Sequence, residues 1–146
     1  MSDKIFSNKH FDIDEMKNIR DLVNRIIEVI QVKINKPSIG EEKQFEGLPD
    51  KSKLLIKEVM RFRNEEPALS SGEIDWTAFY NNYADIAFIK SIIFSFQSIM
   101  KDLSGMQLLL ALENYQIALK EFEYTESKKN NDVRMEAKYE VLKQYL

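Results

Sequence analysis

Two apolar ladders at helical spacing, separated only by residues 103–105, dominate the stretch from residue 75 to residue 122. The first ladder consists of Ile86, Ile89, Ile93, Phe96, Met100 and Leu103. The second consists of Leu108, Leu112, Tyr115, Leu119 and Phe122. Because steps of three and four residues keep apolar side chains on one face of a helix, this part of the chain is committed to helix-on-helix packing.

Helical periodicity and capping residues extend this pattern over most of the chain. Asp12 is expected to cap a first helix over about residues 13–34, and Asp50 or Ser52 a shorter one that reaches about residue 63. Asp75 should cap a third helix, and residues 130–132 should separate the end of a fourth, near residue 128, from a last one. The sequence therefore predicts an all-α fold, a compact bundle of four to five helices with a long central helix, in one domain over residues 1–146.

Two segments are ambiguous. Gly105 can end a helix in the left-handed conformation, while Ser104 and Gln107 match a capping box for a new one, so we expect a tight corner there rather than one kinked helix. Residues 35–50 have no periodicity and hold two Pro and two Gly. That is long for a helix connection, and it predicts a mobile connection, with a binding loop as the alternative.

The residues needed for most enzyme chemistry are missing. The chain has no Cys and one His, His10, so neither a zinc site nor the Glu-x-x-His pairs of a di-iron bundle can be built. Phosphate-binding glycine loops are also missing, and acidic pairs such as Glu65-Glu66 lie in charged, loop-like surroundings. We expect a protein that is not an enzyme, with no metal and no cofactor.

Charge and hydropathy indicate a cytoplasmic protein that does not enter a membrane. The formal net charge is −3. The most apolar window, residues 83–100, contains Asp85, Lys90 and Gln97, so it falls short of a spanning helix of about 20 apolar residues. No signal-peptide pattern opens the chain. Its wealth of Ile, Lys and Asn is typical of AT-rich coding DNA, which hints at a bacterium, a phage or a mobile element.

Asp85 and Lys90 are the unusual polar members of an otherwise apolar helix. Five residues apart, they lie about 140° from each other around the helix axis, so they are not a natural pair within one helix. The simplest interpretation is that each faces solvent or an opposite charge on a neighbouring helix.

A row of basic side chains is the sharpest surface feature. Lys53, Lys57 and Arg61 follow one another at four-residue spacing, and residues 51–63 carry a net charge of +4. Such a row is usually a solvated face that nearby acidic residues balance. The functional alternative is a stripe that contacts phosphates or an acidic partner.

Aromatic residues cluster where the third helix is predicted to begin. Spacings of three and four place Trp76, Tyr80 and Tyr83 near one face, with Phe79 close by. A stripe of this kind is more often core than contact surface. The binding interpretation remains because Trp and Tyr are enriched at binding hot spots.

These observations support three functional hypotheses. The first is a non-enzymatic interaction protein, an adaptor, assembly component or small inhibitor that binds another protein through helical surface. The second is a phage or mobile-element accessory protein that binds nucleic acid or a ribonucleoprotein through the stripe of Lys53, Lys57 and Arg61. An enzyme with a carboxylate-only site is the third. A homodimer is compatible with the first hypothesis, because the third helix is apolar on more than one side.

Overall fold

The structure, a computed structural model, describes residues 10–146, and the helices found there confirm the all-α prediction and the long central helix. No strand occurs within that range. The five helices are α1 (Ile13–Gln31), α2 (Ile39–Glu46), α3 (Asp50–Glu65), α4 (Trp76–Lys128) and α5 (Val133–Lys143), with a 3-10 turn at Pro67–Leu69. They fall into two units, residues 11–81 and residues 82–146 together with His10.

Carboxylates begin three of the helices, as the sequence predicts. Asp12 accepts a hydrogen bond from the backbone N–H of Glu15 at 2.7 Å, and this bond is the main cause of the lowered pKa of the Asp12 carboxyl. Asp75 and Asp132 cap α4 and α5 in the same way, at 2.9 and 2.8 Å. Helix α3 differs from the prediction, because Pro49 occupies its N-cap position and neither Asp50 nor Ser52 caps it.

The connection between α1 and α3 contains a helix that the sequence prediction omitted. Ser38 and Glu41 form a complete capping box at the start of α2, with both hydrogen bonds at 3.1 Å. Donation from the Ser38 backbone lowers the pKa of the Glu41 carboxyl. The Ser-x-x-Glu pattern was visible in the sequence, but eight residues with little apolar periodicity gave it no support.

The predicted corner at residues 103–105 is wrong, because α4 runs through it without a break. Its 53 residues give a helix of about 80 Å. Gly105 does not adopt a positive φ. A corner would leave up to four N–H and four C=O groups without helical partners. One glycine within a helix costs only about 1 kcal/mol, so the continuous helix is favoured.

Gly105→Ala should therefore stabilise the protein by about 1 kcal/mol in chemical denaturation. An added Cβ meets nothing within 4 Å, and alanine is the better helix former. Ser104→Ala, the adjacent control, should give about half that gain. A loss of stability in Gly105→Ala would instead indicate a left-handed glycine and a corner in solution.

In the unit of residues 82–146, α5 packs against the end of α4. The rings of Phe122 and Tyr139 stack with centroids 5.5 Å apart, and Lys138 forms an ion pair with Glu121 across the two helices. Thr125, 0% exposed, is the only fully buried side chain in the described part of the chain. Its hydroxyl donates to the Glu121 carbonyl, so the polar group enclosed here is satisfied.

The apolar ladders are not enclosed within the single chain. Ile93 on the first ladder and Leu112 on the second are each about half exposed. The ladder of α1, from Met16 to Ile30, is also substantially exposed. Large contiguous apolar patches are rare on monomers, so these faces are candidates for covering by a partner.

Candidate protein-binding site

A shallow apolar groove lies in the unit of residues 11–81, where the chain turns from α3 into α4. Its volume is about 350 Å³. The residues that line it are Leu55, Glu58, Val59, Phe62, Leu69, Ser70, Ser71, Ile74 and Trp76. Helix α3 supplies the floor at intervals of three and four residues, and residues 69–74 supply the opposite wall because the 3-10 turn brings the chain back along α3.

Trp76 anchors this wall. Its indole N–H donates to the carbonyl of Ser71 at 2.8 Å, and the Arg63 guanidinium lies 4.9 Å from the ring centroid. The Phe79 ring packs edge-on against it, with centroids 5.5 Å apart. The connection after α3 is therefore tied to α4 by one aromatic side chain that contacts both.

Tyr80 makes a second link between the same two helices. Its hydroxyl donates to the side-chain carbonyl of Asn64 at 3.1 Å, and both Tyr80 and Trp76 are half-buried. The structure thus places both predicted binding residues where α3 meets the start of α4, and of the two only Trp76 lines the groove. Tyr83 belongs to the other unit and is 40% exposed.

The basic row predicted on this segment lies on α3, but its members have different surroundings. Arg61 donates to Glu58 at 2.8 Å and to Glu65 at 3.0 Å, and the bond to Glu58 is the main cause of the raised pKa of Arg61. Lys53 lies over the ring of Phe45 at 5.2 Å. Among the described residues, no ion pair involves Lys57.

The charge of Arg61 is thus balanced within α3, whereas Lys53 and Lys57 form no ion pair among the described residues. Glu58 and Glu65 lie three residues before and four residues after Arg61, the spacings at which helical side chains meet. This balance could have been predicted from the sequence, since both acids are at interacting positions. A phosphate would have to compete with two carboxylates for Arg61.

The groove offers binding surface rather than catalytic groups. Its lining has one titratable side chain, Glu58, and that carboxylate is occupied by Arg61. Across residues 10–146 no three His, Cys, Asp or Glu side chains converge as metal ligands would. What the groove can do is accept apolar side chains between α3 and the residue 69–74 wall.

Helix α4 is long and apolar enough to cross a membrane, judged by length and composition alone. It is the only helix within residues 10–146 that meets this criterion. Core helices of soluble proteins meet the same criterion when they are buried, but the apolar window of α4 is 0% buried in the structure. Length and composition alone assign no membrane location.

Comparison of the chain with models of known protein families, with curated protein sequences and with solved structures finds no match. The groove and the exposed helical faces are therefore the features of the chain that bear on its function.

Proposed function

We propose that this chain is a non-enzymatic interaction protein that binds another protein through the groove between α3 and residues 69–74. The observation that carries the proposal is the exposure of the apolar lining: Leu55 is 62% exposed, and Phe62 and Ile74 are each about half exposed. Leaving such side chains in water costs roughly 25 cal/mol per Å² of apolar surface, and a partner that covers them recovers this free energy.

The geometry suits an amphipathic helix from the partner. Such a helix presents apolar side chains at positions i, i+3 or i+4, and i+7, and a shallow groove beside a helix accepts them. The basic side chains of α3, with Lys57 among them, would favour a partner whose polar edge is acidic. An adaptor, an assembly component and a small inhibitor all work in this way.

Nucleic-acid binding through Lys53, Lys57 and Arg61 has weaker support. The two carboxylates on Arg61 reduce the positive potential that phosphates would meet. Each phosphate contact contributes about −0.9 to the slope of log K against log salt. Because Arg61 is paired with Glu58 and Glu65, fewer contacts with phosphate would form, and both the affinity and the size of this slope would be small.

Two adjacent leucines provide a matched test. Leu54 and Leu55 are 60% and 62% exposed, but only Leu55 lines the groove. The test is affinity capture of a stoichiometric protein partner from a native lysate. Leu55→Asp should capture at least tenfold less of that partner than the wild type, because partner binding would desolvate a carboxylate in the apolar groove. Leu54→Asp, with the same change of charge, should retain it.

Equal capture by the two variants would show that the groove is not the binding surface. Capture of no stoichiometric protein by the wild-type chain would contradict the proposal as a whole. If nuclease treatment removes the captured material, nucleic acid is the partner instead.

A further inference from the structure

We propose that residues 85–103 of α4 form a parallel, in-register coiled coil with the same segment of a second copy of this chain. The inference concerns a different surface from the groove and does not rest on the function proposed for it. It starts from the first ladder, in which apolar side chains alternate in steps of three and four residues. That is the heptad repeat of a coiled-coil seam.

The heptad register is fixed by the ladder. Ile86, Ile93 and Met100 occupy a positions, and Ile89, Phe96 and Leu103 occupy d positions. All six are between 38% and 64% exposed in the single chain. Ile99, at a g position beside the seam, is 55% exposed and widens the apolar face.

The two unusual charges of this helix have a natural place in that register. Asp85 takes a g position and Lys90 the e position of the next heptad. In a parallel coiled coil, a g residue of one helix faces the following e residue of its partner, five residues further along. Asp85 of each copy would therefore meet Lys90 of the other, and two ion pairs would flank the seam.

Within one copy this pairing cannot form, because a separation of five residues places the two side chains about 140° apart on the helix. Both are exposed, and neither belongs to an ion pair among residues 10–146. In an antiparallel pair, g faces g and e faces e, so Asp85 could not meet Lys90; in the pair centred on the ladder it would face the apolar g residue Met106. Charge complementarity thus selects a second copy and a parallel orientation.

The area is sufficient for a dimer. Aromatic side chains bury roughly 150–250 Å², and the smaller aliphatic side chains of the seam are taken at the lower bound. About half of each is exposed here, so the six seam residues and Ile99 offer on the order of 600 Å² per copy. Two copies together would bury about 1,200 Å², which is the lower bound for a stable interface.

Lipid is a less suitable cover for this helix. The side away from the seam carries Ser91, Ser95, Ser98 and Asp102, with Lys101 beside them, and its large apolar members are Phe88 and Phe94. A helix surrounded by acyl chains would have to bury these polar groups, whereas a coiled coil leaves them in water.

A single introduced cysteine tests the orientation in this chain, which has no Cys of its own. Ile86→Cys places a thiol at an a position, where the two copies of a parallel in-register pair lie within reach of a disulfide. Mild oxidation should convert most of the protein to a covalent dimer. An antiparallel pair centred on the ladder would separate the two thiols by about 25 Å, since 17 residues rise 1.5 Å each.

Charge reversal tests the pairing of Asp85 with Lys90. Asp85→Lys and Lys90→Asp should each weaken dimerisation about tenfold in sedimentation equilibrium, because like charges then face each other. An equimolar mixture of the two variants should recover wild-type affinity, since every facing pair is again opposite in sign. Lys101→Asp, at an outward b position, should leave the dimer unchanged.

The seam itself is tested by two neighbouring residues. Ile93→Asp at an a position should yield monomer, while Phe94→Asp, outside the seam and 73% exposed in the wild type, should remain dimeric. A wild-type monomer at all concentrations, a dimer that Ile86→Cys does not cross-link, or recovery of the native protein in the membrane fraction would each overturn the proposal. Leu55→Asp should dimerise like the wild type, because Leu55 lies in the groove and not in the seam. The dimer proposal can therefore fail or hold independently of the proposed binding function of the groove.

Discussion

Trp76→Ala is expected to destabilise the unit of residues 11–81 by about 2–3 kcal/mol and to release the connection between α3 and α4. Complete truncation of a buried Trp costs about 3–5 kcal/mol, and Trp76 is only half-buried. The variant loses the ring contact with Phe79, the stacking of Arg63 and the hydrogen bond to the Ser71 carbonyl together. Chemical denaturation followed by circular dichroism gives the loss, and hydrogen exchange of residues 66–75 shows where it occurs.

Trp76→Phe separates packing from hydrogen bonding. Phenylalanine keeps an aromatic ring against Phe79 but cannot donate to the Ser71 carbonyl, so it should lose only about 1 kcal/mol. Tyr80→Phe, which removes the bond to Asn64, should lose a similar amount. If Trp76→Phe were as damaging as Trp76→Ala, the hydrogen bond rather than the ring would hold the connection. Unchanged exchange of residues 66–75 in Trp76→Ala would show that neither does.

The helix boundaries illustrate which parts of this fold are encoded locally. Asp12 and Asp75 were each predicted to cap a helix, and residues 130–132 were predicted to separate two helices. In the structure Asp12, Asp75 and Asp132 each accept a backbone N–H two or three residues later. Capping depends on a short stretch of chain, so it can be predicted from a few residues. The same local logic failed at Gly105, because two valid capping signals competed with helix-forming residues on both sides.

The groove shows what local patterns cannot give. The spacing of Leu55, Val59 and Phe62 predicts one apolar face of α3, but its opposite wall depends on the 3-10 turn at Pro67–Leu69 and on Trp76. Those contacts join residues that are separated by an irregular connection, and no periodicity predicts how such a segment folds back. The aromatic cluster was therefore identified from sequence, while its role beside a groove was not.

In the basic row, by contrast, the ion pairs form between residues of the same helix, so they could be predicted from the sequence. Glu58 and Glu65 flank Arg61 at helical contact spacings, and both ion pairs form. Surface pairs of this kind contribute little to stability, but they change what a neighbouring anion would encounter. Counting net charge over residues 51–63 placed Glu65 outside the window and so overstated how available the row is.

The second large effect is expected in the other unit, where α5 depends on α4. Helix α5 has 11 residues, and isolated helices shorter than about 12–15 residues are marginal in water. The stability of α5 therefore has to come from its contacts with α4. These are the stacking of Phe122 on Tyr139, the ion pair of Lys138 with Glu121 and the packing that encloses Thr125. Met135 and Leu142, which follow the helical spacing of Tyr139, are half-buried, whereas Leu146 lies beyond the helix and is exposed.

Phe122→Ala should consequently unfold α5 while most of α4 stays helical. The expected loss is roughly 3 kcal/mol, the lower end for truncation of a packed Phe, because the ring is half-buried. Hydrogen exchange by NMR should show protection lost over residues 133–143. Tyr124→Ala, two residues away with a side chain that is 53% exposed, should leave that protection intact.

Thr125 tests whether the two helices are packed tightly or merely adjacent. Thr125→Leu adds volume at a site with no exposed surface, and overpacking of this kind costs about 1–3 kcal/mol. In a tight hairpin, Thr125→Leu and Phe122→Ala should both release α5, one by pushing the helices apart and the other by removing their contact. A Thr125→Leu variant that keeps residues 133–143 protected would mean that α5 can shift to accommodate leucine, and the hairpin would then be held by the aromatic stack rather than by close approach of the backbones.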